Sequence, residues 1–463
     1  MRQEWMLTAP WDAIAVRRGD ALGFRLATDR LSDILAPDLS NRTQDARWIT
    51  LLSWCLCVTE KAPWQSNNIP VEQWLRSRPG AAARYDWLRP LELCWVTRTM
   101  ELLSDGVRER QLPGIRAVRR WKESEWTAER FGLSEDQWAR YRQTGAYGAY
   151  RTAFRRLPGL TLYGNGWTPG PAAAKLADRV AYVLKDPALR LDDEPINGHA
   201  KPETYWINGR WATFRDSSVP ALRMLPESST TIEPLKDEQE REILAGVLFG
   251  NDLHGQRRRA VVLACARSPA TIHSKLCGDV AEALRADNEC ESLVLLEPFS
   301  EFADAALAAM LALWRQFSIP GRSAPILKLD ELTSVKEVRD SADRLLEFAK
   351  QWRQVRQQHA AIMLPMQTCD DLARELAPVT NSTAAIRCLM IHHTCKGGGL
   401  RWMRLRDESI VPLLPTRGFV STPYRFRLWQ LCRMAVQCDI IQSFPQAFAA
   451  QQPEDMDEER ADE

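Results

Sequence analysis

The chain lacks the signatures that would fix its chemistry. It contains no G-x-x-x-x-G-K-[ST], G-x-S-x-G or H-E-x-x-H, and no G-x-G-x-x-G placed after a strand, so phosphate-loop, nucleophile-elbow, zincin and dinucleotide chemistry have no linear motif. It also lacks net charge: 61 Lys and Arg against 60 Asp and Glu leave +1, so any nucleic-acid contact must come from a local patch. Its longest apolar run, Ala305–Trp314, is about half of what a membrane-spanning helix needs. Met1-Arg2-Gln3-Glu4-Trp5 opens without the apolar core of a secretory leader. The 11 cysteines include no C-x-x-C pair, and several sit in apolar runs such as Ser53-Trp54-Cys55-Leu56-Cys57, which reads as buried thiols in a reducing compartment. These absences imply a cytoplasmic chain with no membrane partner and no cofactor, more consistent with a binding protein than with an enzyme.

What is present is material for helices. At 463 residues, with 45% hydrophobic and 26% charged, the chain should fold as more than one domain. The aromatic usage is skewed, with 18 Trp against 13 Phe and 8 Tyr and most Trp before Phe214, which fits either helix-packing anchors or a partner surface. Apolar periodicity predicts helices over Ala21–Leu35, Arg47–Thr59 and Pro90–Leu103, then over Glu238–Phe249, Arg257–Arg267, Ala270–Arg285, Phe299–Phe317, Val335–His359, Asp370–Leu376, Thr383–Cys395 and Tyr424–Cys438. The expected fold class is mainly α, a multi-domain helical protein with a small winged-helix (α+β) module. The expected organisation is a Trp-rich helical domain over 1–125, the module over 126–186, and a linker over 187–235. A helical domain over 236–450 and an acidic, disordered tail over 451–463 follow. Within the linker, Asn208-Gly209 between Tyr205-Trp206-Ile207 and Arg210-Trp211 predicts a short hairpin.

The module carries the sharpest expectation. Ser134 before Glu135 and Asp136 predicts a capped helix, and a second helix follows through Ala146–Leu157. Two short strands around Gly164-Asn165-Gly166 and a helix from about Pro171 complete a winged-helix order. In the second helix Tyr147, Tyr150, Phe154 and Leu157 form one stripe, with Thr152, Arg155 and Arg156 opposite and Arg151 on the flank. Five arginines and no acid lie between Arg140 and Arg156. A helix with a buried stripe and an arginine and hydroxyl face suits phosphate charge and base edges. The expected DNA contacts are Arg151, Thr152, Arg155 and Arg156, with Arg142 and Asn165 at the margins; a winged helix can equally dock a protein.

Two other constellations bear weighing. Cys388, His392 and Cys395 share a helical face beside His393, but a structural zinc site needs a fourth ligand, so packed thiols and a packed histidine are the expectation. Lys328-Leu329-Asp330-Glu331 is the only stretch resembling a nuclease acid set, and Asp330 has no convincing acidic partner.

The stretch Leu35-Ala36-Pro37-Asp38-Leu39-Ser40-Asn41-Arg42-Thr43-Gln44-Asp45-Ala46-Arg47-Trp48 resembles the N-terminal signature of uncharacterised bacterial families from restriction or anti-phage gene clusters, which have a P-G-x-S-x-x-T-x-x-x-R-Y-like segment. Asp38 and Trp48 stand where those families have Gly and Tyr. The resemblance implies a setting: a subunit of a multigene defence system with protein partners from the same cluster. Residues alone read the stretch as a turn in which Ser40 or Thr43 starts the next helix and Arg47 pairs with a nearby acid. The leading expectation is a non-enzymatic DNA-binding or adaptor subunit. A protein-binding scaffold and a motif-less metal-dependent nuclease are the alternatives.

Overall fold

The structure is a computed structural model that describes residues 20–60, 73, 78–102, 113–125, 129–183, 232–285, 288–317, 326–397, 401–413 and 426–449. The predicted hairpin at Tyr205–Trp211 and the acidic tail lie outside them. In chain order the first helices are α1 Arg25–Leu35, α2 Arg47–Thr59, α3 Arg78–Leu102, α4 Ile115–Glu123, α5 Glu135–Thr144, α6 Ala146–Arg156 and α7 Pro171–Val183. After 184–231 come α8 Glu238–Phe249, α9 Leu253–Arg267, α10 His273–Ala283, α11 Leu296–Phe317, β1 Leu327–Lys328, α12 Leu329–Ser334 and α13 Lys336–Gln358. Then follow α14 Gln367–Glu375, α15 Ser382–Lys396, β2 Met403–Arg406, β3 Ser409–Pro412, α16 Leu428–Gln437 and α17 Gln446–Ala449. The described residues are thus mostly helical, with one small antiparallel sheet among them. None of the described helices is long and apolar enough to cross a membrane.

The chain divides into two compact units that interleave in sequence: Met1–Leu35, Arg267–Phe426 and Pro445–Glu463 form one, Ala36–Ala266 and Arg427–Phe444 the other. Long-range packing places α1 and α16 in a different unit from their chain neighbours.

In the first of these units α11 lies along α13, and its Phe299 and Phe302 pack on Trp352 with ring centroids 6.0 and 6.4 Å apart. Phe24 closes the cluster at 6.1 and 5.9 Å from the two phenylalanines. The predicted helix over Ala21–Leu35 starts only at Arg25. The Asp20 carboxylate accepts the amides of Phe24 and Arg25, and Gly23 turns at φ +73°, so 21–24 form a turn. Leu26 is exposed. The sheet order is β1-β3-β2, with Leu327 opposite Ile410 and Leu405 opposite Ile410 on the other side. Asp407 and Glu408 turn the β2–β3 hairpin, both at positive φ, as the twist of a two-residue hairpin loop demands.

In the other unit α2 is the centre: every residue except Cys57 is buried, as expected of a helix that is apolar all round. Edge-on Trp54–Trp95 (5.8 Å) ties it to α3. Trp121, Phe131, Trp138 and Tyr141 form a continuous aromatic run: Trp121 is edge-on to Phe131 at 4.8 Å, and Phe131, Trp138 and Tyr141 stack with centroids 5.4 and 6.1 Å apart. Trp48, Trp54, Trp87, Trp95, Trp121, Trp138 and Trp167 are all buried, so the described tryptophans of this half anchor helices and offer no partner surface. The helix predicted to begin at Pro90 begins at Arg78, with Pro90 inside it. A mid-helix proline removes one backbone bond. Burial of Trp87, Leu88, Leu91, Leu93 and Trp95 on either side outweighs that loss.

The Pro37–Trp48 stretch is a polar hub of this unit. Asp38 has φ +67°, a backbone conformation that favours glycine, and its carboxylate accepts from Arg258 Nη1 (3.2 Å) and contacts His254 Nδ1 (2.6 Å). Arg258 is wholly buried and also donates to the Pro37 and Leu248 carbonyls. Asn41 accepts from Arg427, Asp45 from Arg433, and the Ala46 amide donates to Gln437. Neither Ser40 nor Thr43 caps α2: its N-cap is Ala46, the preceding Asp45 accepts the Arg47 amide at 3.0 Å, and Arg47 reaches Glu240 of α8 (3.1 Å) instead of a nearby acid.

Candidate nucleic-acid interface

Helix α5 starts where the sequence placed it, because Ser134 forms a reciprocal capping box with Gln137. A single residue, Gly145, joins α5 to α6, and a side chain there would run into Tyr141 and Glu92 at 2.7–2.9 Å. Glycine leaves α6 without a cap of its own. Glu92 of α3 takes that part: its carboxylate accepts the Tyr147 amide in the first turn of α6, with the Tyr141 hydroxyl and Arg89 beside it. Burial pushes the Glu92 carboxyl up to about 8, against the pull of that hydrogen bond and of Arg89. On the buried face of α6, the Tyr150 hydroxyl donates to the Asp45 carbonyl (2.9 Å) and accepts the Asp45 amide (2.8 Å). Ser40 Oγ donates to the Ala149 carbonyl. The helix is therefore held at its start and along its inner side.

The expected sorting of α6 is what the structure displays. Tyr147, Tyr150, Phe154 and Leu157 are buried, while Arg151, Thr152, Arg155 and Arg156 are exposed. Arg151, Arg155 and Arg156 form no ion pair among the described residues. Arg142 lies on α5, but its side chain is outside the described residues.

The wing departs from expectation. The two strands around Gly164-Asn165-Gly166 reduce to one antiparallel bridge, Thr161 with Pro169, and a 3-10 turn over Leu162–Gly164. The physical reason is that side chains take the amides a ladder would use. Asn165 Oδ1 accepts from Trp167 and Thr168, its Nδ2 donates to Thr168 Oγ1, and Thr161 Oγ1 accepts from Gly166 while donating to the Phe154 carbonyl. Asn165 is thus engaged within its own turn. The loop folds back on the end of α6: a Cβ at Gly164 (φ +61°) would sit 2.8 Å from the Arg155 carbonyl, and one at Gly166 (φ +78°) 2.7 Å from Arg155 Cγ. Trp167 pins it, edge-on to Tyr85 at 4.7 Å and tilted on Tyr147 at 4.9 Å.

The remaining sequence candidates have other occupations. His393 Nδ1 bonds the Ala21 carbonyl (2.7 Å) and its Nε2 receives the Trp402 amide (3.0 Å), so the ring is neutral with its proton on Nδ1. His392 Nε2 bonds the Leu22 carbonyl at 3.0 Å. Burial pushes both imidazoles below their usual range. Cys388 is half-buried and Cys395 exposed, in place of the packed thiols expected. Among the described residues no group of His, Cys, Asp and Glu is arranged to hold a metal ion. Asp330 is exposed in the first turn of α12.

Sequence reasoning missed Glu92 and the Asp38–Arg258–His254 cluster. Their partners lie 55 and more than 200 residues away, and no local spacing signals such pairs. No protein-family profile, curated protein or solved structure matches the chain.

Proposed function

We propose that the protein is a non-enzymatic DNA-binding subunit, acting with protein partners of a bacterial defence cluster, and that α6 presents its DNA-contacting face. The observation that carries this reading is the exposed, acid-free set Arg151, Thr152, Arg155 and Arg156 on a helix fixed by Glu92 and Tyr150. Guanidiniums on a rigid, exposed face supply the counterion release that drives duplex binding. The α5–α6 pair supports the reading without a projecting wing, so contact rests on α6 itself. The test is a salt titration of duplex binding by fluorescence anisotropy, comparing the protein with Arg155→Glu plus Arg156→Glu. The expected result is weaker binding and a log K against log [salt] slope lower by about 2. Unchanged affinity and slope refute the assignment.

A further inference from the structure

We propose that the α6 face takes up duplex nucleic acid by its sugar-phosphate backbone alone and reads no base sequence; this rests on the nucleic-acid reading above. Recognition helices read bases with their N-terminal residues, which enter the major groove. In α6 that end is unavailable. Ala146, Tyr147 and Ala149 are buried, Gly148 is half-buried, and the Tyr147 amide is bound to Glu92. The exposed cations are confined to the C-terminal half, where Arg151 and Arg155 stand one turn apart, about 6 Å along the axis.

Three further features agree. The helix C-terminus carries the negative end of the dipole and offers no free amides, so a phosphate there must be held by the guanidiniums alone, against the dipole. The Gly164-Asn165-Gly166 loop folds against Arg155, and Asn165 spends its amide on its own turn, so no second element reaches a groove from there. The α6 aromatics Tyr147, Tyr150 and Phe154 are all buried, which leaves that helix no platform for stacking the bases of a single strand.

The experiment uses the full chain with a panel of unrelated duplexes of equal length, a matching single strand, and a variant carrying Arg151→Lys, Arg155→Lys and Arg156→Lys. Lysine keeps the charge that phosphates need but lacks the rigid planar fork with which arginine grips guanine O6 and N7, so base readout would weaken while phosphate contact would not. The expected result is that all duplexes bind within about threefold of one another and that the Lys variant keeps affinity and salt slope for each. The companion variant with alanine at the three positions loses about 0.9 of slope per arginine on every duplex alike. A preference above about tenfold for one duplex, a Lys variant that loses one sequence selectively, or tighter binding of the single strand overturns the inference and leaves the nucleic-acid reading standing. Absence of duplex binding even at low salt removes that reading itself.

Discussion

Replacing Glu92 with Gln isolates the cost of placing a carboxyl at the start of α6. The group is fully enclosed, and burial raises its pKa from an ordinary 4.5 to about 8. For an acid raised in this direction the associated stability is complete below pH 4.5, falls as pH rises, and is gone above about 8. The difference of about 3.5 units corresponds to about 5 kcal/mol in total, with a slope approaching 1.4 kcal/mol per pH unit between pH 5 and 8. The substituted carboxamide keeps an oxygen to accept the Tyr147 amide and cannot ionise. The expectation is that Glu92→Gln costs about 1 kcal/mol or less at pH 5, where the native residue is a neutral acid of the same shape, and equals or exceeds the native protein in stability at pH 8.5. Urea unfolding followed by tryptophan fluorescence across pH 5–9 measures this directly, because the buried tryptophans of this unit report on it. Two parallel stability profiles would refute the assignment of a buried carboxyl whose pKa is raised. Glu92→Leu should be less stable than Glu92→Gln at every pH, since the Tyr147 amide then has no acceptor.

Asp38→Ala leaves the buried Arg258 guanidinium without its carboxylate and should cost about 3–5 kcal/mol, whereas Asp38→Gly suffers the same loss but relieves the left-handed backbone and should be about 1 kcal/mol less damaging; urea midpoints compare them, and equal midpoints would deny the strain. Gly164→Ala places a Cβ against the Arg155 carbonyl at positive φ and should lower stability by about 1–2 kcal/mol, read by the thermal midpoint. The histidine pair predicts acid sensitivity: both imidazoles sit below the ordinary 6.5, so stability is full above pH 6.5 and declines as pH falls toward their lowered values. His393→Leu should flatten that decline while weakening the protein at pH 7.5, because the Ala21 carbonyl and the Trp402 amide lose their partner; an unchanged pH profile between 7.5 and 5 would show that His393 is not the titrating group.

Much of the helical skeleton was legible in the chain, and the reasons are local. Arg47–Thr59 and Glu238–Phe249 were read to the residue, because apolar runs bounded by turn residues leave few alternatives. Ser134 announced its helix through the capping box, and 3.6-residue periodicity sorted α6 into a buried Tyr147-Tyr150-Phe154-Leu157 stripe and an exposed arginine face. These are properties of neighbours three and four residues apart, and sequence carries them. The start of α3 was misplaced because proline is a weak boundary signal when packing on both sides holds the helix together.

What only the tertiary structure decided is the use made of polar side chains over long separations. Gly164-Asn165-Gly166 has the composition of a hairpin turn, yet the Thr161 hydroxyl and the Asn165 amide capture the ladder's donors and fold the loop onto α6. His392 and His393 have ligand chemistry, yet the carbonyls of Ala21 and Leu22, some 370 residues earlier, engage them. The sequence determined by itself that α6 has an arginine face. That its N-terminal turn is closed off by Glu92 and Tyr141, leaving only the C-terminal guanidiniums to meet a partner, follows from burial, and burial is set by which distant helix packs there.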